Sequence, residues 1–296
     1  MKKKNKKKFK ILILGSNSQI GRALIKKKFK SANFIFATKK MINFFDQDFE
    51  KKIIKVKPDL LINLVAFTDV EASETKKKIA KIINFYSVKK IVKICKIFSI
   101  KLIHISTDYV FTNNHNKSIA ETKIKKPLNY YGYTKSIAED FIIKSNINYV
   151  IIRTSWVFSS KNNNFVTKII NLALKNNNVL RVVTDEYGKP TSSILLADAI
   201  ILIIKKMIDK NEKIQKIYHV ANKGIVSRYN FSKKIIKNFF TNKKIKIEPI
   251  LSKKFITKAK RSKYSILETK KFEKDFKTKV NHWEKDLKMI LNEINL

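Results

Sequence analysis

Cysteine is almost absent from this chain of 296 residues, which has a single one, Cys95. One cysteine excludes an intramolecular disulfide and a cysteine-based zinc site. Such a composition fits the reducing cytoplasm, where we expect the protein to reside. Histidine is scarce as well, and neither His115 nor His282 has an acidic or histidine partner at metal-binding spacing. The sequence therefore places no metal site.

Acidic residues are few. The chain has 23 Asp and Glu against 65 Lys and Arg, a formal net charge of +42. Such a charge is typical of proteins that bind nucleic acid or an anionic membrane. The lysines, however, are spread from Lys2 to Lys288 and do not alternate with aromatic side chains as in base-stacking surfaces. We attribute the charge to the drift of an AT-biased genome, and expect neither nucleic acid nor a membrane as partner. Residues 1–8 are expected to form a basic, disordered tail.

Long apolar runs are missing. The run at 9–14, which follows the basic start, is too short for a signal-peptide core or a membrane span. It is better explained as a buried strand. The hydrophobic content of 44% is nevertheless sufficient for a large core, and the chain has no internal repeat.

Short apolar runs alternate with segments of helical periodicity. The strands are predicted at 11–14, 34–37, 60–65, 102–106, 149–153 and 217–220, and the longest helices at about 79–98 and 131–145. This alternation predicts an α/β fold, a Rossmann-like doubly wound parallel sheet with a smaller C-terminal substrate lobe.

Two parts are expected within this fold. Residues 9–158 would form a dinucleotide-binding domain, to which 179–222 returns. Residues 159–178 and 223–296, where the periodicity is more mixed, would form the substrate lobe. In such sheets ligands bind beyond the carboxyl ends of the strands, so the polar residues that follow strands are the candidates for chemistry.

A short turn follows the first predicted strand. Its spacing is that of G-x-x-G-x-x-G, with Gly15 and Gly21 at the ends and Ser18 in place of the middle glycine. Glycines here let backbone N–H groups approach a pyrophosphate at a helix N-terminus. We expect Gly15, Ser18, Gln19, Ile20 and Gly21 to contact a dinucleotide. An ordinary strand–helix turn is the alternative.

The segment from Tyr131 to Lys135 carries the candidate chemistry. A tyrosine four residues before a lysine places both side chains on one face of a helix. Thr107, at the end of the 102–106 strand, can add a hydroxyl to this pair. The three groups suit proton transfer during reduction of a carbonyl by a nicotinamide. Alone, Tyr-x-x-x-Lys occurs by chance in a lysine-rich chain and more often marks a helix surface.

The motifs around Tyr131 and Lys135 favour a catalytic site over a helix surface. They resemble those of the dTDP-4-dehydrorhamnose reductase family, within the extended short-chain dehydrogenase/reductase superfamily. The segments that carry the resemblance are 106–111, 127–135, 139, 153–158, 164–165, 185–191, 261, 265–267 and 283. The similarity spans nearly the whole chain.

The resemblance implies reduction of the 4-keto group of dTDP-4-dehydro-6-deoxy-L-mannose to dTDP-L-rhamnose, with NADPH or NADH as the cofactor. Tyr131 would donate the proton, and Lys135 would lower the tyrosine pKa and hold the nicotinamide ribose. Thr107 would bind the ketone oxygen. Asp108 and Trp156 would line the sugar site.

The same resemblance implies a cofactor site and an assembly. The residues expected to contact the cofactor are Gly15, Ser18, Gln19, Ile20, Gly21, Asp46, Ala66, Thr68, Tyr131 and Lys135. Some members bind Mg²⁺ near a subunit contact, so Mg²⁺ is implied by resemblance only. The oligomeric state stays open, with a homodimer as one outcome.

Two other functions remain as alternatives. A sugar-nucleotide dehydratase or epimerase shares the fold, but dehydratases place an acidic pair after the threonine, where this chain has Asp108 followed by Tyr109. A non-catalytic, nucleotide-binding regulatory subunit is the other. Retention of Thr107, Tyr131 and Lys135 argues against it.

Overall fold

The structure, a computed structural model, describes residues 8–27, 29, 31–175, 179–209, 214–240, 245–254 and 256–294. Of the expected basic tail, residues 1–7 lie outside this described part. The strands are β1 Phe9–Leu14, β2 Ala32–Ala37, β3 Leu60–Asn63, β4 Lys101–Thr107, β5 Tyr149–Thr154, β6 Val157–Phe158, β7 Val179–Val183, β8 Tyr187–Gly188, β9 Thr191–Ser192, β10 Gln215–His219, β11 Val226–Ser227, β12 Lys246–Ile250 and β13 Tyr264–Ser265.

Helices connect most of these strands. They are α1 Gln19–Ile25, α2 Phe49–Val56, α3 Val70–Thr75, α4 Lys77–Lys81, α5 Ser87–Ile97, α6 Tyr130–Lys144, α7 Phe165–Lys175, α8 Ser193–Asp209, α9 Arg228–Phe239, α10 Lys270–Asp275 and α11 Trp283–Asn292. A π-helix at Ile82–Tyr86 lies between α4 and α5, and 3₁₀ turns occur at Asp108–Val110 and Ser252–Lys254. Among the described helices, none has the length and apolar character that crossing a bilayer requires.

A six-stranded sheet forms the centre of the molecule. Its order is β10-β5-β4-β3-β1-β2 and every pairing is parallel. Alternate side chains of each strand point to opposite faces. Ile11 and Ile13 of β1 therefore join a core with α1 and α8, while Leu12 and Leu14 join another with α2 and α5. The predicted Rossmann-like sheet, covered on both faces, is confirmed.

The predicted helix at 79–98 is interrupted. The chain forms α4, then the π-helix, then α5. A π-turn inserts one residue into the helical repeat. Asn84, inside the π-helix, is completely buried as a result. Hydrophobic periodicity does not reveal this insertion, because the apolar pattern resumes after it.

A third core cluster lies in the C-terminal part, where residues of α7, α9 and α11 pack together. Leu180 and Val182 of β7 belong to this cluster, and β7 pairs with β12 in a separate two-stranded sheet. Within the segment 179–222, β7 therefore lies outside the central sheet. The later elements adjoin that sheet, because β10 is one of its edge strands and α8 packs against α1. The two-part division itself stays a prediction.

Candidate active site

A cavity of about 520 Å³ opens at the carboxyl ends of the central strands. Nine of the sequence-predicted site residues line it, namely Ser18, Gln19, Ile20, Ala66, Thr68, Thr107, Asp108, Tyr131 and Trp156. Parallel strands bring these distant segments to one edge of the sheet. Among the described residues, the lining does not include Gly15, Gly21, Lys135 or Asp46.

The turn after β1 is built for close backbone approach. Gly15 has a φ of +82°, which side chains disfavour. A Cβ at Gly21 would lie 2.4 Å from the Ser16 carbonyl oxygen. Ser18 is the N-cap of α1 and its Oγ accepts the Gly21 N–H at 3.1 Å. The serine in the middle of the motif thus stabilises the helix start, and the bare backbone of the turn fits a pyrophosphate.

The loop after β3 is hydrogen-bonded to Asn84 of the π-helix. The Asn84 Oδ1 accepts the Phe67 N–H at 2.7 Å, and its Nδ2 donates to the Phe67 carbonyl at 3.2 Å. The same Nδ2 donates to Thr134 Oγ1 of α6 at 3.0 Å. These bonds place Ala66 and Thr68 at the cavity wall. Single π-turns often occur at functional sites, and here the turn aims one asparagine at this loop.

Tyr131 lies in the first turn of α6, which packs directly on the 3₁₀ turn after β4. Asn129 caps the helix by accepting the Gly132 N–H at 2.9 Å. A Cβ at Gly132 would lie 2.1 Å from the Tyr109 carbonyl oxygen, so only glycine allows this approach. The Tyr131 ring contacts Tyr109 edge to face, with centroids 5.6 Å apart. Thr107 is hydrogen-bonded to the Tyr131 hydroxyl.

Burial governs the charge of the tyrosine and lysine. It raises the pKa of Tyr131 well above its ordinary value, and the hydrogen bond with Thr107 opposes this only in part. Lys135 Nζ donates to the Ile105 carbonyl at 2.7 Å and lies 2.9 Å from His104 Nε2. Burial lowers the pKa of Lys135 to about 8, although Glu139 acts in the opposite direction. Lys135 is not among the groups that shift the pKa of Tyr131 in this arrangement, and the expectation that it lowers this pKa stays a prediction.

A buried ion pair fixes α6 beneath the site. Arg153 of β5 donates Nε and Nη2 to Glu139 at distances from 2.7 to 3.2 Å. Ser106 of β4 donates to the same carboxylate. Both members of the pair are almost fully buried. Removing one partner would leave an uncompensated charge, so the pair locks α6 to β4 and β5.

Asp108 and Trp156 line the cavity together with Ser18 of the glycine turn. Asp108 accepts hydrogen bonds from Ser265 Oγ at 2.5 Å and Thr107 Oγ1 at 3.0 Å, and its burial raises the pKa of the carboxyl. Trp156 has a φ of +46°, a strained value for a bulky residue. The Arg228 guanidinium lies 3.7 Å from the centre of a Trp156 ring.

A smaller recess adjoins the cavity through Asp108, Tyr109 and Trp156. The other described residues that line it are Phe111, Ile119, Glu186, Arg228, Arg261, Ser262, Tyr264 and Ser265. Arg228 pairs with Glu186 at 3.6 Å, and Arg261 pairs with Glu71 at 2.5 Å. These ion pairs connect the recess to α9, to α3 and to the residue that precedes β8.

The predicted adenosine contact at Asp46 lies apart from these groups. Its carboxylate accepts from Lys52 Nζ at 2.8 Å and from Asn43 Nδ2 at 3.1 Å. Asp46 as a cofactor residue stays a prediction, as do the other site assignments.

Sequence reasoning missed part of the lining at Asn162 and Asn163. Their loop is joined to the glycine turn, because Ser159 Oγ donates to Gln19 Oε1 at 2.9 Å and Asn162 Nδ2 donates to the Asn17 carbonyl at 3.0 Å. The asparagine run at 162–164 was the available signal.

Metal ligation has no support in the described part of the chain, which contains no group of three or more His, Cys, Asp or Glu side chains able to hold an ion. Mg²⁺ stays an implication of resemblance alone.

Known proteins resemble this chain over its length. A family model described as RmlD substrate binding domain matches residues 9–296. A dTDP-4-dehydrorhamnose reductase of Escherichia coli strain K12 is 32% identical over 81% of this chain and 81% of its own. The enzyme of the same name from Salmonella typhimurium strain LT2 is 30% identical, covering 96% and 97%. The crystal structure of dTDP-4-dehydrorhamnose reductase from Bacillus anthracis strain Ames in complex with NADP superposes with a TM-score of 0.87 at 28% identity, covering 97% and 100%.

Proposed function

This chain belongs to the family described as RmlD substrate binding domain, and on that premise we propose a residue-level account of an NAD(P)H-dependent dTDP-4-dehydrorhamnose reductase. The reaction is reduction of the 4-keto group of dTDP-4-dehydro-6-deoxy-L-mannose to dTDP-L-rhamnose. One observation carries the account. The Tyr131 hydroxyl, hydrogen-bonded to Thr107, faces a cavity that also reaches the glycine turn.

The cofactor is NADPH or NADH, which supplies the hydride for C4 of the sugar. Gly15, Ser18, Gln19, Ile20 and Gly21 would hold its pyrophosphate through the turn and the start of α1. Ala66 and Thr68 would contact it from the loop fastened by Asn84, and Asp46 would approach the adenosine.

Tyr131 is the proton donor. A high tyrosine pKa keeps the hydroxyl protonated at neutral pH, so that it can supply its proton to the alkoxide that develops at C4. Thr107 is hydrogen-bonded to the Tyr131 hydroxyl and positions that oxygen. Lys135 as a cation would hold the nicotinamide ribose and favour the phenolate that remains after the transfer.

Asp108 and Trp156 would hold the sugar. Trp156 offers the part of its indole that lines the cavity, and Asp108 offers an acceptor for a sugar hydroxyl. The recess with Arg228 and Arg261 adjoins them, because Asp108 and Trp156 line it as well.

We expect the protein to work in the cytoplasm, with a homodimer as one outcome for its oligomeric state, and with neither a membrane nor nucleic acid as partner. The spread of lysines along the sequence supports the expectation that nucleic acid is not a partner. Any DNA binding should be electrostatic and should weaken steeply as salt rises toward about 200 mM. Binding that survives this salt would show that the charge has a function of its own.

The test is an assay with freshly made dTDP-4-dehydro-6-deoxy-L-mannose and each reduced cofactor. We expect oxidation of NADPH or NADH, one equivalent for each sugar consumed, with dTDP-L-rhamnose as the product. Tight binding of cofactor without any turnover would contradict the account and favour a regulatory subunit.

A further inference from the structure

A buried series of polar contacts runs behind the cavity from β3 through β4 to α6. Asn63 Nδ2 lies 3.3 Å from His104 Nδ1, and His104 Nε2 lies 2.9 Å from Lys135 Nζ. None of the three residues exposes more than 1% of its surface. Donors and acceptors must therefore match within the series, because water does not reach it.

The orientation of the Asn63 amide is fixed by the backbone. The Val65 N–H donates to Asn63 Oδ1 at 3.1 Å, so the amide nitrogen faces His104. An amide nitrogen is only a donor, and His104 Nδ1 must therefore accept. A neutral imidazole whose Nδ1 accepts carries its proton on Nε2, which faces Lys135.

The contact between Lys135 and His104 Nε2 depends on the protonation state of the lysine. A neutral amine can accept the Nε2 N–H and still donate to the Ile105 carbonyl at 2.7 Å. An ammonium has no lone pair and must donate to Nε2, which forces the imidazole proton onto Nδ1. There the proton meets the Asn63 amide donor, and the contact between Asn63 and His104 is lost. The two arrangements exclude each other.

We propose that His104 is a positioning residue that couples the charge of Lys135 to its own tautomer. The histidine proton lies on Nδ1 when Lys135 is an ammonium, and on Nε2 when Lys135 is an amine. The proton balance is closed. Between the two states Lys135 loses one proton to bulk solvent as pH rises, and the ring, neutral in both states, carries its single proton on the other nitrogen.

The surrounding charges agree with a neutral ring. Burial and the lysine charge both hold the pKa of His104 well below its usual range. Glu139, on α6, favours the lysine cation, but its carboxylate is already paired with Arg153 on β5. Tyr131, one turn before Lys135, is kept protonated by burial. Among these buried groups, the tautomer of His104 is therefore the property that changes together with the charge of Lys135.

The consequence for catalysis rests on the proposed function, in which the cationic lysine holds the ribose and stabilises the phenolate. Asn63 favours the amine and so lowers the fraction of Lys135 that is competent at neutral pH. A change that removes this preference should extend activity to higher pH.

The test is nitrogen-15 NMR of the protein labelled at its four histidines, followed from pH 6 to pH 10. His104→Gln identifies the His104 signals. We expect the proton to move from Nδ1 to Nε2 as pH rises, with a midpoint near the pKa of about 8 that burial gives Lys135. A His104 that keeps one tautomer throughout, or that becomes an imidazolium in this range, would overturn the proposal.

Asn63→Asp makes the test sharper. A carboxylate at 63 can accept both the Val65 N–H and a proton on His104 Nδ1, and so favours the lysine cation. The midpoint should rise by about one pH unit or more. Asn113→Asp, another buried asparagine change outside the cavity lining, should leave the midpoint in place. An unchanged midpoint in folded Asn63→Asp would refute the coupling. The readout needs no turnover, so its failure is distinct from a failure of the proposed reaction.

Discussion

Gly188 and Trp156 are in such close contact that no other residue fits at position 188. A Cβ there would lie 2.6 Å from Trp156 Cε2 and 2.8 Å from Cζ2. The Arg228 guanidinium also lies against the indole, 3.7 Å from the centre of a Trp156 ring. The side chain of Trp156, a residue with a strained backbone, thus makes two close contacts.

Gly188→Ala should displace the indole from the proposed sugar site. We expect kcat/KM for the sugar nucleotide to fall by about ten- to a hundredfold, because misplacement of a positioning group by about 1 Å has effects of this order. Cofactor affinity, measured by fluorescence titration, should change little. Trp156→Phe in the same chain relieves the overlap, so the two changes should be strongly non-additive in a double-mutant cycle. Simple additivity would mean that Gly188 does not act through Trp156.

Tyr131→Phe removes the proposed proton donor but keeps the aromatic ring against Tyr109. We expect kcat to fall by about 10² to 10⁴-fold, the usual contribution of general acid catalysis. Binding of NADPH should persist, because the ring still fills its place. Retention of near wild-type kcat by a folded Tyr131→Phe protein would remove Tyr131 from the chemistry.

Lys135→Met should raise the free energy of unfolding, because a charged lysine is unfavourable in a buried position. The folded-state pKa of about 8 lies below the ordinary value of 10.5. Between these two pH values Lys135 binds its proton in the unfolded chain but not in the folded chain. The free energy of unfolding of the wild-type protein therefore rises with pH in this range. Below pH 8 the burial of the protonated lysine destabilises the folded wild-type protein to its full extent.

The free energy of unfolding of Lys135→Met, relative to wild type, should therefore be highest near pH 7. It should decline by up to about 3 kcal/mol as pH rises toward 10.5. Denaturant titrations at several pH values measure this difference, while activity should be lost throughout. A difference that does not vary with pH would mean that the lysine is not desolvated in the folded protein.

Ser18→Ala tests the serine of the cofactor turn. Loss of an N-cap hydroxyl usually destabilises by about 1 kcal/mol, whereas glycine at an N-cap costs only a few tenths. Ser18→Gly is thus a matched control that also restores the middle glycine of the motif. We expect the alanine variant to unfold more readily and bind NADPH more weakly than the glycine variant. Equal behaviour of the two would show that the capping bond to Gly21 is unimportant.

The sequence carried enough information to predict the sheet and nine of the residues that line the cavity. Thr107, Tyr131 and Trp156 follow strands or begin a helix, and the topology of a parallel sheet brings such positions together. The place of Asn84 was not predictable, because it depends on a single π-turn that leaves the apolar periodicity on either side intact. The pairing of β7 with β12 depends on contacts between segments 67 residues apart and has no local signal.

Charge states were the least predictable feature. Helical spacing correctly suggests that Tyr131 and Lys135 share a face, but it does not report their burial. Desolvation raises the tyrosine pKa and lowers that of the lysine, the reverse of what a simple pair of opposite charges would produce. His104 lies inside the apolar strand β4, a position that indicates a structural role, and its contact with Lys135 appears only in three dimensions.

The most direct measurement of the central claim follows the hydride itself. The protein is incubated with dTDP-4-dehydro-6-deoxy-L-mannose and reduced cofactor deuterated at nicotinamide C4, and the product is analysed by NMR. The account predicts dTDP-L-rhamnose with one deuterium at sugar C4, formed by wild type and only very slowly by Tyr131→Phe. Deuterium at another carbon, or no deuterated sugar from a protein that binds both ligands, would contradict it.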